Sequence, residues 1–122
     1  MERFILVAAG GAAGAVARYA VGLQATRLFG AGQVWGTLAV NVAGGLLMGL
    51  LAGWVASGAD ERWRLLLGVG VLGGFTTFSA FSLETVGLLE RREWVGAGLY
   101  VLASVGLSVA TLALGLTLAR AR

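Results

Sequence analysis

Four polar features interrupt the apolar stretches of this 122-residue chain: Arg18, Asn41, Glu84, and the run Thr76, Thr77, Phe78, Ser79, Ala80, Phe81, Ser82. Hydrocarbon penalises every one of these polar groups, so each needs a partner or a task. An arginine near the middle of an apolar span costs about 2.5–3.5 kcal/mol on insertion scales, unless its long side chain reaches the interface. Arg18 therefore either snorkels from the end of its span or faces a wet vestibule and draws in an anion. The amide of Asn41 donates two hydrogen bonds and accepts as well. It acts either as glue between helices or, with Thr37 one turn earlier on the same face, as a short donor track. Such a track suits a small, hard, hydrogen-bond-accepting anion.

The hydroxyl run is the strongest of these features. Gly68, Gly70, Gly73 and Gly74 lead directly into hydroxyl residues that can bond their own backbone and interrupt a helix. A break is expected there, with a mere kink as the alternative. Non-helical backbone at membrane depth survives only where protein or a wet cavity satisfies its freed groups, and such breaks mark ion sites. Carbonyls released near Gly73 and Thr76 could hold a cation such as sodium. Beyond the break, Phe78 and Phe81 share one helix face, as do Ser79 and Ser82. An aromatic pair either packs or presents its electropositive ring edges to an anion in a narrow dry path. Glu84 falls in the first turns of that half-helix, where the dipole favours a carboxylate and a structural role is expected. Tyr100, Ser104, Ser108 and Thr111 form a polar stripe, either a pore wall or hydroxyls bonding back to their own helix.

The elements that must carry these groups are membrane helices. Hydrophobic residues make up 58% of the chain and charged ones 12%, with a mean hydropathy of +0.88. An average soluble domain has roughly 25% charged residues. There is no cysteine or histidine, which excludes thiolate and imidazole metal sites, disulfides and histidine-based triads. An enzyme is not expected. All nine basic residues are arginines, spread mainly between apolar runs, so no nucleic-acid partner is expected.

Runs able to cross about 30 Å of hydrocarbon occupy residues 4–23, 34–55, 63–89 and 94–119. Short connections at 24–33, 56–62 and 90–93 separate them, and Trp35, Trp54, Trp63 and Trp94 mark span ends as an aromatic belt would. Arg3, the following apolar stretch and Ala15-Val16-Ala17 imitate a signal peptide, but the stretch is read as the first membrane helix. Residues 1–122 thus form one four-helix transmembrane domain of an all-α membrane protein. If the spans alternate, Arg3, Arg62, Arg64, Arg120 and Arg122 face one side and Arg27, Arg91 and Arg92 the other. So slight a bias fits insertion both ways up and antiparallel pairing, and equally an ordinary protein with its termini inside. Glycines four apart, at Gly10 and Gly14, at Gly45, Gly49 and Gly53, and at Gly70 and Gly74, let helix backbones approach closely.

Three motifs together carry a resemblance. They are Gly10-Gly11-Ala12-Ala13-Gly14-Ala15-Val16-Ala17-Arg18-Tyr19, Gly36-Thr37-Leu38-Ala39-Val40-Asn41, and Gly73-Gly74-Phe75-Thr76-Thr77-Phe78-Ser79-Ala80-Phe81-Ser82. In this order, on these spans and at this length, the chain resembles the Fluc family of fluoride channels, also called CrcB. The resemblance implies a dual-topology, antiparallel homodimer in the inner (plasma) membrane. It also implies two fluoride pathways and a central structural sodium ion held by backbone carbonyls at a break in the third helix. By motif position, Asn41, Phe78 and Phe81 would line the path, with Thr37, Ser79, Tyr100 and Ser108 along it. Gly73 and Thr76 would give sodium their carbonyls, and Arg18 matches the vestibule arginine. Passive fluoride export would follow, with fluoride and membrane lipid as partners. Ala80 departs from the motif, where a threonine is usual; it is small and outside the aromatic pair, so conduction is expected to survive. The rival is a small multidrug transporter-like, proton-coupled exporter, which needs a carboxylate in its first span, and spans one and two contain none. A third reading is an accessory membrane subunit, inactive alone.

Overall fold

In the computed structural model, which describes residues 1–121, four helices are long and apolar enough to cross a membrane. The first, α1, is Glu2–Phe29 and the second, α2, is Trp35–Ala56. The third span, Glu61–Glu90, is composite. It runs through a single turn α3 (Glu61–Trp63), a π-helical segment (Arg64–Leu72), a single turn α4 (Gly73–Phe75), a break at 76–78, and α5 (Ser79–Glu90). The fourth, α6, is Trp94–Arg120. No strand forms among the described residues. Arg122, part of the charge balance above, lies outside them.

Helix α1 outlasts its apolar run. Gln24, Thr26 and Arg27 belong to the helix, which stops at Gly30, where φ is 89° and the N–H donates to the Thr26 carbonyl. Hydropathy marks what lipid tolerates, whereas intrahelical bonds continue through polar residues until a positive φ ends them. Consecutive spans reverse direction through short links. Phe29 meets Trp35 at one end of the bundle and Trp54 meets Trp63 at the other, each pair with ring centroids 5.9 Å apart. Arg62 also bonds Glu2 at 3.2 Å, tying the second link to the start of α1.

Two glycine seams hold the bundle together. A Cβ on Gly10 would overlap the Leu66 carbonyl oxygen, and one on Gly14 that of Val71, so α1 lies directly on the π-helical backbone. Gly70 and Gly74 answer from the other side, their would-be Cβ atoms meeting the backbone of Gly10 and Gly11. The second seam joins α2 to α6 at Gly49 and Gly115. The small core lies around the break: Phe81, Leu88, Ala97 and Tyr100 pack together, and Val40 is 2% exposed. Most other large apolar side chains face outward, as they do in a protein solvated by lipid.

Among the described residues, Arg92 is the one other than glycine with positive φ, at 61°. It closes α5 in a Schellman arrangement, its own N–H on the Leu89 carbonyl at 3.0 Å and that of Glu93 on Leu88 at 2.9 Å. Glycine is the favoured residue there, since a left-handed backbone pushes a Cβ toward the next carbonyl. Arg92→Gly is expected to stabilise the protein by about 1 kcal/mol, raising its unfolding midpoint in detergent by roughly 3–5 °C. An unchanged or lower midpoint would contradict this account.

Candidate functional site

The break turns on three residues. Thr76 adopts an extended conformation (φ −88°, ψ 159°), with its N–H and its Oγ1 both directed to the Leu72 carbonyl at 3.0 and 2.8 Å. Thr77 Oγ1 accepts from the Ala80 N–H at 3.1 Å, satisfying a free donor in the first turn of α5, and it lies 3.2 Å from Ser79 Oγ. Ser82 Oγ bonds back to the Phe78 carbonyl at 2.9 Å. The hydroxyl run therefore supplies the local bonds that an unbroken helix would have made from its backbone.

Neighbouring helices satisfy part of what remains exposed. Arg18 Nε donates to the Gly74 carbonyl at 3.1 Å, reaching from α1 to an oxygen that the break has released. Asn41 Nδ2 donates to the Thr77 carbonyl at 2.9 Å, while the Thr77 N–H donates to Asn41 Oδ1 at 2.8 Å. Neither the break residues nor any side chain among the described residues donates to the carbonyl of Gly73 or of Thr76. Two neutral hard oxygens at one bend suit an alkali cation by their chemistry. Among the described residues, no group of three or more His, Cys, Asp or Glu could hold a metal.

Thr37 and Asn41 do not form one row of free donors. Thr37 Oγ1 donates to Glu84 Oε2 at 2.8 Å, and Tyr100 donates its phenolic hydrogen to Glu84 Oε1 at 2.6 Å. Glu84 is the sixth residue of α5, and these two hydroxyls hold its carboxylate. The link from α2 through Glu84 to α6 was hidden in the sequence, where the three residues are far apart. Arg18, Thr37, Thr77 and Glu84 line a cavity of about 610 Å³ that opens to one end of the bundle beside Glu90 and Arg91.

The second hollow lies on the other side of Asn41. About 590 Å³ in volume, it is lined by Asn41, Thr77, Phe78, Phe81, Ser104 and Ser108, and it also reaches Gly73 and Thr76. Phe78 and Phe81 tilt against each other at 52° with centroids 5.4 Å apart, and Phe81 meets Tyr100 at 5.2 Å. Their exposures differ sharply: Phe81 is 8% exposed and Phe78 is 76% exposed. Along α6 the stripe divides. Tyr100 is committed to Glu84, and Thr111 donates across to the Val42 carbonyl of α2 at 2.9 Å. Ser104 Oγ and Ser108 Oγ are buried with no hydrogen-bond partner. A buried hydroxyl left unpaired costs about 1–3 kcal/mol, so a wall bearing two of them is unfinished without a further acceptor.

A family model described as CrcB-like protein, Camphor Resistance (CrcB), matches residues 5–116. A protein of Caulobacter sp. (strain K31) named Fluoride-specific ion channel FluC is 61% identical, the alignment covering 98% of this chain and 96% of that protein. Proteins of the same name from Phenylobacterium zucineum (strain HLK1) and Hyphomonas neptunium (strain ATCC 15444) are 58% and 55% identical, each over 98% of this chain and 97% of their own length.

Proposed function

The chain belongs to the CrcB-like family, and we propose that it is a multi-pass channel of the plasma membrane that lets fluoride leave the cell passively, working as an antiparallel homodimer. The observation that carries the reading is the unfinished groove: exposed Phe78, buried Phe81 and the unpaired hydroxyls of Ser104 and Ser108 line one hollow. A hydroxyl hydrogen and an aromatic edge are both positive, and fluoride is the strongest hydrogen-bond acceptor among the halides. Donors held in place at low dielectric replace the ion's water without reorganising, and the weaker ring edges let it leave.

A second copy would cover Phe78 and close the groove, giving two pathways by symmetry. Antiparallel pairing fits the near-balanced arginines at the two ends of the bundle. The carbonyls of Gly73 and Thr76, joined by those of the partner, would hold a sodium ion at the centre. Such an ion would neutralise the carbonyl dipoles and pin the two breaks together. Arg18 draws anions into the cavity beside Thr37 and Glu84, and Asn41, Phe78, Phe81, Ser79, Tyr100 and Ser108 mark the route inward. A proton-coupled exporter is not favoured, since the only carboxylate of α1 is Glu2, exposed at its outer end and paired with Arg62.

Proteoliposomes containing only this protein, loaded with fluoride or chloride and voltage-clamped by a potassium gradient with valinomycin, test the reading. Rapid fluoride loss with chloride retained is expected. Equal loss of both ions would remove the selectivity argument, and silence for both would favour the accessory-subunit reading.

A further inference from the structure

We infer that Glu90 sets the supply of anions to the pathway, its charge opposing their entry at the mouth of the larger cavity. The inference rests on the channel reading above and adds to it a rate-setting residue that acts by its field, without binding the ion. Four side chains that carry a full charge line that cavity of about 610 Å³: Arg18, Glu84, Glu90 and Arg91. Their surroundings differ.

Arg18 and Glu84 belong to the inner end, beside the break. Arg18 bonds the Gly74 carbonyl, and Glu84 accepts from the hydroxyls of Thr37 and Tyr100. Those partners are all neutral, so within the cavity the two opposite charges offset each other. Arg91 stands just beyond α5, its Nε 2.8 Å from Glu93 Oε2. Its Nη1 lies back over Gly87, 3.7 Å from where a Cβ would stand. As a unit the Arg91 and Glu93 pair is neutral. Glu90 is exposed and forms no ion pair among the described residues. It is the one charge on this wall left without an offsetting neighbour. Arg27 and Arg92 belong to the same end of the bundle but do not line the cavity.

A charge at the rim of a hollow with apolar walls acts across the whole opening, because walls such as Leu23 and Leu83 confine its field. Arg18 draws an anion from within, and Glu90 repels it on the way there. Across roughly 12 Å of water-like dielectric, a unit charge changes the local density of a monovalent ion about twofold. The screening length is about 30 Å in 0.01 M salt and about 3 Å in 1 M. The effect of Glu90 is therefore present in dilute salt and lost in concentrated salt. A purely steric or folding role of the same side chain would show no such dependence.

The chain has no cysteine, so Glu90→Cys provides a single addressable thiol per subunit. Methanethiosulfonate reagents ending in trimethylammonium or in sulfonate would give adducts of similar size and opposite charge, with labelling verified by mass spectrometry. Fluoride current would be recorded in planar bilayers in about 0.01 M sodium fluoride, alone and with about 1 M sodium isethionate, across the screening range above. The cationic adduct is expected to carry about three times the current of the anionic one in dilute salt, the ratio falling to near one in concentrated salt. Unlabelled Glu90→Gln should exceed wild type by about twofold in dilute salt only. Equal currents from the two adducts in dilute salt, whether both reduced or both unchanged, would overturn the inference. A ratio that persists undiminished in concentrated salt would overturn it as well. Wild type, lacking a thiol, should ignore both reagents; a silent wild type would fail the channel reading, and this inference with it.

Discussion

Phe81→Ile is expected to abolish fluoride efflux while leaving a folded protein. Phe81 is the hinge of the aromatic arrangement, tilted against Phe78 on one side and Tyr100 on the other. Isoleucine keeps an apolar bulk in the Phe81, Leu88, Ala97 and Tyr100 cluster but has no positive ring edge. Packing should suffer by only about 1–2 kcal/mol, the range of a hydrophobic swap with modest volume loss. The barrier to the ion should rise by about 3 kcal/mol, which at 1.36 kcal/mol per decade lowers the rate roughly a hundredfold. Initial fluoride efflux from proteoliposomes is the measurement, with gel filtration to confirm the fold. Normal efflux would rule out the edge mechanism, and aggregation would show that Phe81 matters mainly as core.

The second large effect concerns assembly. Gly49→Ala places a methyl group onto the carbonyl oxygen of Leu112 and within 2.8 Å of the Leu116 nitrogen. Both obstacles are backbone, so no rotamer change relieves them and α2 must move away from α6. Overpacking of this kind costs about 1–3 kcal/mol before the lost contacts around the reciprocal Gly115 are counted. We expect most of the variant to aggregate on extraction into detergent. Gly98→Ala is the matched control: its Cβ meets nothing within 4 Å, and alanine raises helix propensity by about 1 kcal/mol. If Gly49→Ala extracted as well as Gly98→Ala, the close seam would not be needed for folding.

The sequence displayed the hydroxyl run after Gly73 and Gly74, and the chain does leave the helix at Thr76, because threonine and serine satisfy backbone groups at short range. The four apolar runs were legible for a similar reason, since lipid acts on each residue by itself. What stayed hidden depends on partners distant in the chain. Thr37 and Glu84 are 47 residues apart, and nothing local says that the hydroxyl of one ends on the carboxylate of the other. The π-helical segment was invisible as well. Arg64–Leu72 reads as ordinary helix, since π-helical bonding is rare and no residue type in the segment marks the shift from the fourth to the fifth preceding residue. Its wide turns lie where Gly10 and Gly14 of α1 meet its backbone, a setting that exists only after packing. Gly115 went unnoticed because no second glycine stands four residues away to mark it.

The aromatic belt is uneven in kind. Trp54 and Trp63 touch at one end of the bundle, whereas at the other Trp35 meets a phenylalanine and Trp94 forms no ring pair among the described residues. Indoles 5.9 Å apart exchange excitation before they emit, so the emission of that end is depolarised relative to the other. A water-soluble quencher confined to one compartment would dim the coupled pair in molecules inserted one way and the separate rings in molecules inserted the other. The chain thus carries an optical marker of its own orientation, legible without any added label.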